Sequence, residues 1–289
     1  MKFNPDDFRV TGGKKIRLKD WPTRSMPLYK SKHDYQERLA AEVSVLSGLQ
    51  RLLYATNRYS VLLIFQSLDT AGKDGVIAHL LTGVNPQGCE VHSFKHPSPA
   101  ELDHDFLWRT TAHLPARGRL GVFNRSYYEE VLIVRVHPKI LHSQGIPPEL
   151  LGDKTVWRGR YRSIVDLEKH LHRNGTRVLK FFLHLSKGEQ RKRLLARIDE
   201  PDRNWKIGQA DVTERKSWDR YRKAYEACLQ ATGTKTAPWH VVPADDKYCA
   251  RLIVARLVVT ALQDLKMQIP RPSRARVAEL RNLRQALTT

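Results

Sequence analysis

Apolar positions along this chain keep two rhythms that take turns. Across residues 33–56 they fall at Leu39, Val43, Leu46, Leu49 and Leu53, the repeat of one helix face. The run 61–65, Val-Leu-Leu-Ile-Phe, has no polar member, as suits a parallel strand covered on both sides. Residues 72–81 then predict a helix, 85–88 a turn, 90–94 a second strand, 98–113 helical character and 120–123 a third strand. Residues 138–155 read as a loop or short insertion. A helix at 157–173, a strand at 177–185 and a helix at 187–197 follow. Residues 199–211 are polar and mostly aperiodic, with Pro201 and Gly208. A helix at 214–231, a strand at 239–242 and a helix at 246–267 close the pattern.

Strands alternating with helices predict an α/β fold, a mainly parallel sheet between two helical layers. One domain accounts for the pattern: an extended N-terminal arm over 1–30, a catalytic domain over 31–268 with a lid at about 197–213, and a basic tail over 269–289. Ligands of such sheets bind beyond the carboxyl ends of the strands. Asp69 and Asn124 both follow apolar strands and fall there.

The stretch after the first apolar run carries chemistry. Leu68-Asp69-Thr70-Ala71-Gly72-Lys73-Asp74-Gly75 leads from a strand into a helix, the layout of a loop that holds phosphates on backbone N–H groups and a lysine. It departs from the common pattern. Ser67 stands where the first glycine is expected, and Asp74 where a Ser or Thr would meet magnesium. Lys73 is the phosphate point charge, and Asp69 is the candidate donor to Mg²⁺, which favours one or two carboxylates with substrate phosphates. At the mouth of the third strand, Asn124 occupies a place where many such loops have a metal-binding Asp, so direct metal binding there is weakened. Arg125 beside it can grip a phosphate with a planar fork. The segment from Arg197 through Asp211 reads as a lid that excludes water.

Charge extends the picture. The 289 residues carry a formal net charge of +20, with a pI near 10.1, and the basic residues are spread along the chain. Such a field draws polyanions. Lys95, His96, Arg109, Arg117 and Arg119 lie between the loop and the third strand and favour an anionic ligand longer than one nucleotide. Cys89, Cys228 and Cys249 lack metal-like spacing and suit buried thiols in a reducing compartment. No apolar run approaches the ~18 residues of a membrane span, and no secretory leader is evident. The cytoplasm is the expected location, without membrane or nucleic-acid partners.

Taken jointly, these segments resemble the polyphosphate kinase 2 family over roughly residues 15–265. The family's first motif is similar to 68–75 and its second to Phe123-Asn124-Arg125-Ser126-Tyr127-Tyr128-Glu129. Asn85-Pro86-Gln87-Gly88, Phe106-Leu107-Trp108-Arg109, Val134-Arg135-Val136-His137, Trp205-Lys206, Ala237-Pro238-Trp239 and Asp245-Asp246-Lys247 match as well. The resemblance implies a P-loop kinase fold with a helical lid. It also implies Mg²⁺-dependent, reversible transfer of a terminal phosphoryl group from inorganic polyphosphate to AMP and ADP, with Mn²⁺ able to substitute and other nucleotides open. By the same resemblance Asp69, Lys73 and Arg125 are catalytic, with Asn124 a second metal candidate. Gly72, Lys73, Asp74, Lys95, Arg109, Arg125, Arg135 and Arg197 bind polyphosphate. Asn85, Asn124, Tyr128 and Glu129 lie on the nucleotide side. A homotetramer built from dimers is expected. The rival readings are an ATP-dependent nucleotide kinase and a basic nucleic-acid-binding protein with a degenerate loop; no aromatic-rich motif interleaved with basic residues supports the second.

Overall fold

A computed structural model describes residues 3–13 and 15–288; Met1, Lys2, Lys14 and Thr289 lie outside it. The elements in chain order are β1 (Arg9–Val10), α1 (Lys32–Thr56), β2 (Ser60–Ser67), α2 (Lys73–Leu81), β3 (Cys89–Ser93), α3 (Pro99–Leu102), α4 (Trp108–Thr111), β4 (Leu120–Asn124), α5 (Ile133–Val136) and α6 (Pro138–His142). They continue with α7 (Asp153–Arg173), β5 (Thr176–His184), α8 (Lys187–Asp199), α9 (Gln209–Glu214), α10 (Trp218–Thr232), β6 (Trp239–Pro243), α11 (Lys247–Gln263) and α12 (Arg274–Thr288).

The six strands lie in the order β1-β6-β5-β2-β4-β3. All neighbours are parallel except β1, which runs antiparallel to β6. The apolar run of β2 therefore sits in mid-sheet, between β5 and β4, and its alternate side chains feed two cores. Val61, Leu63 and Phe65 join α1, α2 and α11 on one face. Leu62 and Ile64 join α7 and α10 on the other. The expected three layers are present.

Several stretches differ in detail from their expected form: residues 138–155, read as a loop or short insertion, hold α6 and the start of α7, and the basic tail holds α12. The helical character of 98–113 resolves into two single turns, α3 and α4, because Pro99 opens one and the turns over 103–107 interrupt the helix before the other. The polar stretch 199–211 holds a short 3-10 turn, Asn204–Lys206, and the start of α9. The N-terminal arm is tied to the body at Leu18, Thr23 and Tyr29. Leu18 is buried and its N–H donates to Glu226 Oε1 (2.8 Å). Thr23 Oγ1 donates to Asp245 Oδ2 and Tyr29 to Asp246 Oδ2, both at 2.9 Å.

The second core encloses a charge pair. Lys180, on β5, is wholly buried and donates to Glu168 Oε2 (2.6 Å), the Tyr128 hydroxyl oxygen (2.9 Å) and Thr232 O (2.7 Å). Tyr127 and Tyr128 donate their hydroxyls to Glu168 Oε1 at 3.0 and 2.7 Å. A buried ion pair survives only when its remaining donors and acceptors are met in this way.

Candidate active site

The loop between β2 and α2 closes the carboxyl end of the central strand. Two of its residues take the left-handed conformation: Gly72 at φ +96°, and Thr70 at φ +66°. The first suits a glycine; the second is costly for a β-branched residue. Such strain persists where surrounding structure over-determines it. Lys73, the first residue of α2, turns its ammonium back to Ser67 Oγ (2.9 Å). Ser67 thus supplies a side-chain oxygen to the lysine, which the glycine expected there could not.

Arg125 follows β4 with φ +65°, its N–H donating to Phe65 O (3.0 Å). That turn swings its guanidinium over the loop, 3.5 Å from Asp69 Oδ1 and 3.6 Å from Glu129 Oε2. Burial and the Arg125 charge both push the Lys73 ammonium below its ordinary value, against Asp69, Glu129 and Asp74. Burial raises the Glu129 carboxyl, opposed by Arg125 and Lys73. Gln66, wholly buried at the end of β2, donates its amide to Glu129 Oε1 (2.7 Å) and accepts from the Ser126 N–H (3.1 Å). Beside them, Asn124 Nδ2 donates to Asp74 Oδ1 (2.7 Å). The two departures from the common loop therefore pair with each other: the carboxylate has moved to the helix and the neutral amide to the strand.

The cleft beside the loop is walled by Asp69, Arg125 and Glu129 on the strand side and by Asp211, Glu214, Arg215 and Tyr221 on the lid side. Glu214 is held by His137 Nε2 (3.0 Å) and the Tyr221 hydroxyl (2.7 Å).

Several expected contacts lie elsewhere. Tyr128 is fully buried on the Lys180–Glu168 pair and cannot touch a nucleotide, because the turn after β4 directs Arg125 and Glu129 to the cleft and 126–128 inward, while Asn124 faces Asp74. Asn85 caps the turn that precedes β3, accepting from Gln87 N (3.0 Å). That is the amino end of the parallel strands, opposite the loop, so it too is no nucleotide contact. Arg109 spends its charge on Glu101 (3.3 Å) and Lys95 O (3.0 Å), over the ring of Phe94. Arg135 donates to the Tyr161 hydroxyl oxygen (2.7 Å) over the ring of Trp157. Arg197 donates to Lys206 O (3.3 Å), joining α8 to the lid. None of Lys95, Arg109, Arg135 and Arg197 lines the cleft.

The sequence pattern passed over Gln66, Gln190, Arg193, Arg215 and Glu214. Only Gln66 carried a signal, as a polar residue closing an otherwise apolar strand.

Among the described residues no group of three or more His, Cys, Asp or Glu could hold a metal unaided. Asp69 is 41% exposed and its contact with Arg125 is long. One accessible carboxylate completed by substrate phosphates is a donor set that Mg²⁺ accepts.

Two cations and a loop of amides converging at the carboxyl end of a mid-sheet strand, with a carboxylate alongside, are an apparatus for moving phosphoryl groups, and the fold and site define a P-loop phosphotransferase. A sequence model of "Polyphosphate kinase 2 (PPK2)" matches residues 29–270, and the chain belongs to that family. It is 60% identical over 287 residues to an ADP-polyphosphate phosphotransferase of Rhodopseudomonas palustris, covering 99% of each chain. It is 41% identical over 275 residues to an AMP/ADP-polyphosphate phosphotransferase of Meiothermus ruber, covering 95% of this chain and 92% of that one. Among solved structures, polyphosphate kinase 2 from Arthrobacter aurescens TC1 superimposes with a TM-score of 0.85 at 39% identity, covering 96% of this chain and 97% of that one.

Proposed function

We propose that the chain transfers the terminal phosphoryl group of inorganic polyphosphate to ADP and to AMP, with Mg²⁺ bound through Asp69. The observation that carries this is the convergence of Lys73, Arg125 and the loop amides beside an accessible carboxylate, in a chain whose relatives bear those substrates in their names.

The reaction needs positioning and charge neutralisation more than covalent help. A terminal phosphate oxygen of the nucleotide attacks the end phosphorus of polyphosphate. The bond from that phosphorus to the bridging oxygen breaks, and the shortened chain leaves with the electron pair. One phosphoanhydride is broken and one is formed, so the step is reversible. Lys73 and Arg125 bind the transferred group, and the Gln66–Glu129 pair holds Arg125 at its angle. Mg²⁺ supplies neutralisation of the phosphate charge that the protein's cations leave uncompensated. Arg215, Glu214 and Tyr221 line the lid side of the cleft. The neutral Asn124, hydrogen-bonded to Asp74 (2.7 Å), sets no second carboxylate against the nucleotide phosphates, which supports use of both acceptors. Mn²⁺ is expected to replace Mg²⁺, and a cytoplasmic homotetramer remains the proposed setting. No helix among the described residues is long and apolar enough to cross a membrane.

The test is direct. Purified protein with polyphosphate and Mg²⁺ is given AMP or ADP, and products are followed by chromatography. Formation of ADP and ATP is expected. Transfer from ATP but not from polyphosphate would instead establish an ordinary nucleotide kinase.

A further inference from the structure

The back of the phosphate loop is held by one helix. Three consecutive loop carbonyls, those of Asp69, Thr70 and Ala71, accept hydrogen bonds from α8. Gln190 Nε2 reaches Asp69 O at 3.3 Å, and Arg193 Nη1 reaches Thr70 O at 3.1 Å and Ala71 O at 3.2 Å. The two residues are three apart and so share a helix face. The other nitrogens of Arg193 are also fixed. Nη2 donates to Ala244 O (2.7 Å) and Asp245 O (3.2 Å), beyond β6, and Nε to Glu189 Oε1 (2.9 Å). A single planar guanidinium thus joins the loop, the end of β6 and its own helix.

Peptide planarity gives this arrangement a consequence. In a trans peptide the C=O of one residue and the N–H of the next point in opposite directions. Pulling the carbonyls of 69, 70 and 71 toward α8 aims the N–H groups of 70, 71 and 72 away from it, toward the side where Lys73 and Arg125 stand. Ala71 N–H keeps a long contact with Leu68 O (3.4 Å). The N–H groups of Thr70 and Gly72 donate no hydrogen bond among the described residues, which leaves them for an anion. The same pull accounts for Thr70 in its unfavourable backbone conformation.

We infer that Arg193 is a positioning residue for phosphoryl transfer: with Gln190, it orients the amides of the phosphate loop from behind and never touches substrate. The inference rests on the proposed reaction for its kinetic consequence, but not for its binding consequence. It also links loop and lid. Helix α8 leads into the lid, and Arg215, at the lid's far end, donates to Gln190 Oε1 (2.8 Å) and Lys187 O (3.0 Å).

Arg193→Lys keeps the charge and loses the fork. Binding of tripolyphosphate to the folded variant, measured by calorimetry, is expected to weaken by about tenfold, the weight of one charge-assisted contact. In the full reaction kcat falls by up to about a hundredfold, as for a misplaced reacting group, while the KM for ADP holds. A general loss of structure would move that KM as well. Gln190→Met gives a second reading if Arg193→Lys does not fold: about threefold weaker tripolyphosphate binding, the weight of one neutral hydrogen bond. Unchanged tripolyphosphate affinity in a folded variant, or a loss that appears in the ADP KM instead, overturns the inference. A wild-type protein that binds tripolyphosphate yet transfers nothing would refute the proposed reaction and leave the binding arm decisive here.

Discussion

Lys73 and Asp69 show how much a residue's neighbours decide. Lys73 sits at a helix start, where backbone N–H groups already favour an anion, and its ammonium is steered by Ser67. Replacing it with alanine leaves Arg125 as the cation beside the loop. We expect Lys73→Ala to cost about 3 kcal/mol or more of transition-state stabilisation, as for other preorganised charges, read as kcat in a polyphosphate-dependent assay. Asp69→Asn should lose nearly as much with an unchanged circular dichroism spectrum, because the side chain is half-exposed and its ion-pair partner is Arg125 at a long 3.5 Å. Full activity in both would remove the site from this loop. The placement of these two residues in one loop was legible in the sequence, because loop geometry is local: a strand, a tight turn and a lysine at a helix start lie within a dozen residues. Arg193 was not, because nothing in a charged helix says which arginine turns inward.

At the scale of elements, the turn after β4 sorts its own residues. A 3-10 turn over Tyr127–Val131 sends Glu129 outward to Arg125 and both tyrosines inward to Glu168. As a motif, the run from Asn124 to Glu129 reads as a single unit, whereas the structure divides it between site and core. Tyr128→Phe should therefore leave kcat and the nucleotide KM within about twofold and lower stability by about 3 kcal/mol, because its hydroxyl makes two buried hydrogen bonds to charged groups, Glu168 and Lys180. Urea unfolding and steady-state kinetics separate the two effects. A raised nucleotide KM with unchanged stability would restore Tyr128 to the site. Asn85 fails as a contact for a reason of the same scale: in a parallel sheet, segments before a strand and after it lie at opposite ends.

For the whole molecule, the charge of +20 spreads over a surface from which several expected phosphate ligands are diverted into local contacts with Glu101, Tyr161 and main-chain oxygens. Burial also sets a pH limit. His240, on β6, is held neutral with its pKa pushed down to about 4 by burial, whereas in the unfolded chain it titrates near its ordinary value of about 6.5. Between these values the unfolded state binds the extra proton, so stability rises with pH across that window. The contribution is complete above about pH 6.5 and is lost as pH falls toward 4, amounting to about 3 kcal/mol. Thermal unfolding at pH 7 and pH 5 should show this loss in the wild type and a flatter profile in His240→Gln. An unchanged profile in the variant would assign the acid sensitivity to other groups.

Apart from β1, α5, α6 and α12, which were not, the main alternation of helices and strands, the parallel sheet and the position of the phosphate loop were determined by the sequence alone. Each rests on periodicity or on a short contiguous run, and short-range patterns survive without knowledge of the fold. The tertiary structure alone decided which charges meet. Arg125 reaches Asp69 across 56 positions, Lys180 meets a tyrosine 52 positions away, and Arg193 closes on the loop from more than 120 positions away. Contacts of that range depend on the order in which strands lie side by side. The loop itself shows both sides: Gly72-Lys73 announced phosphate binding, but only the helix packed behind it determines where its amides point.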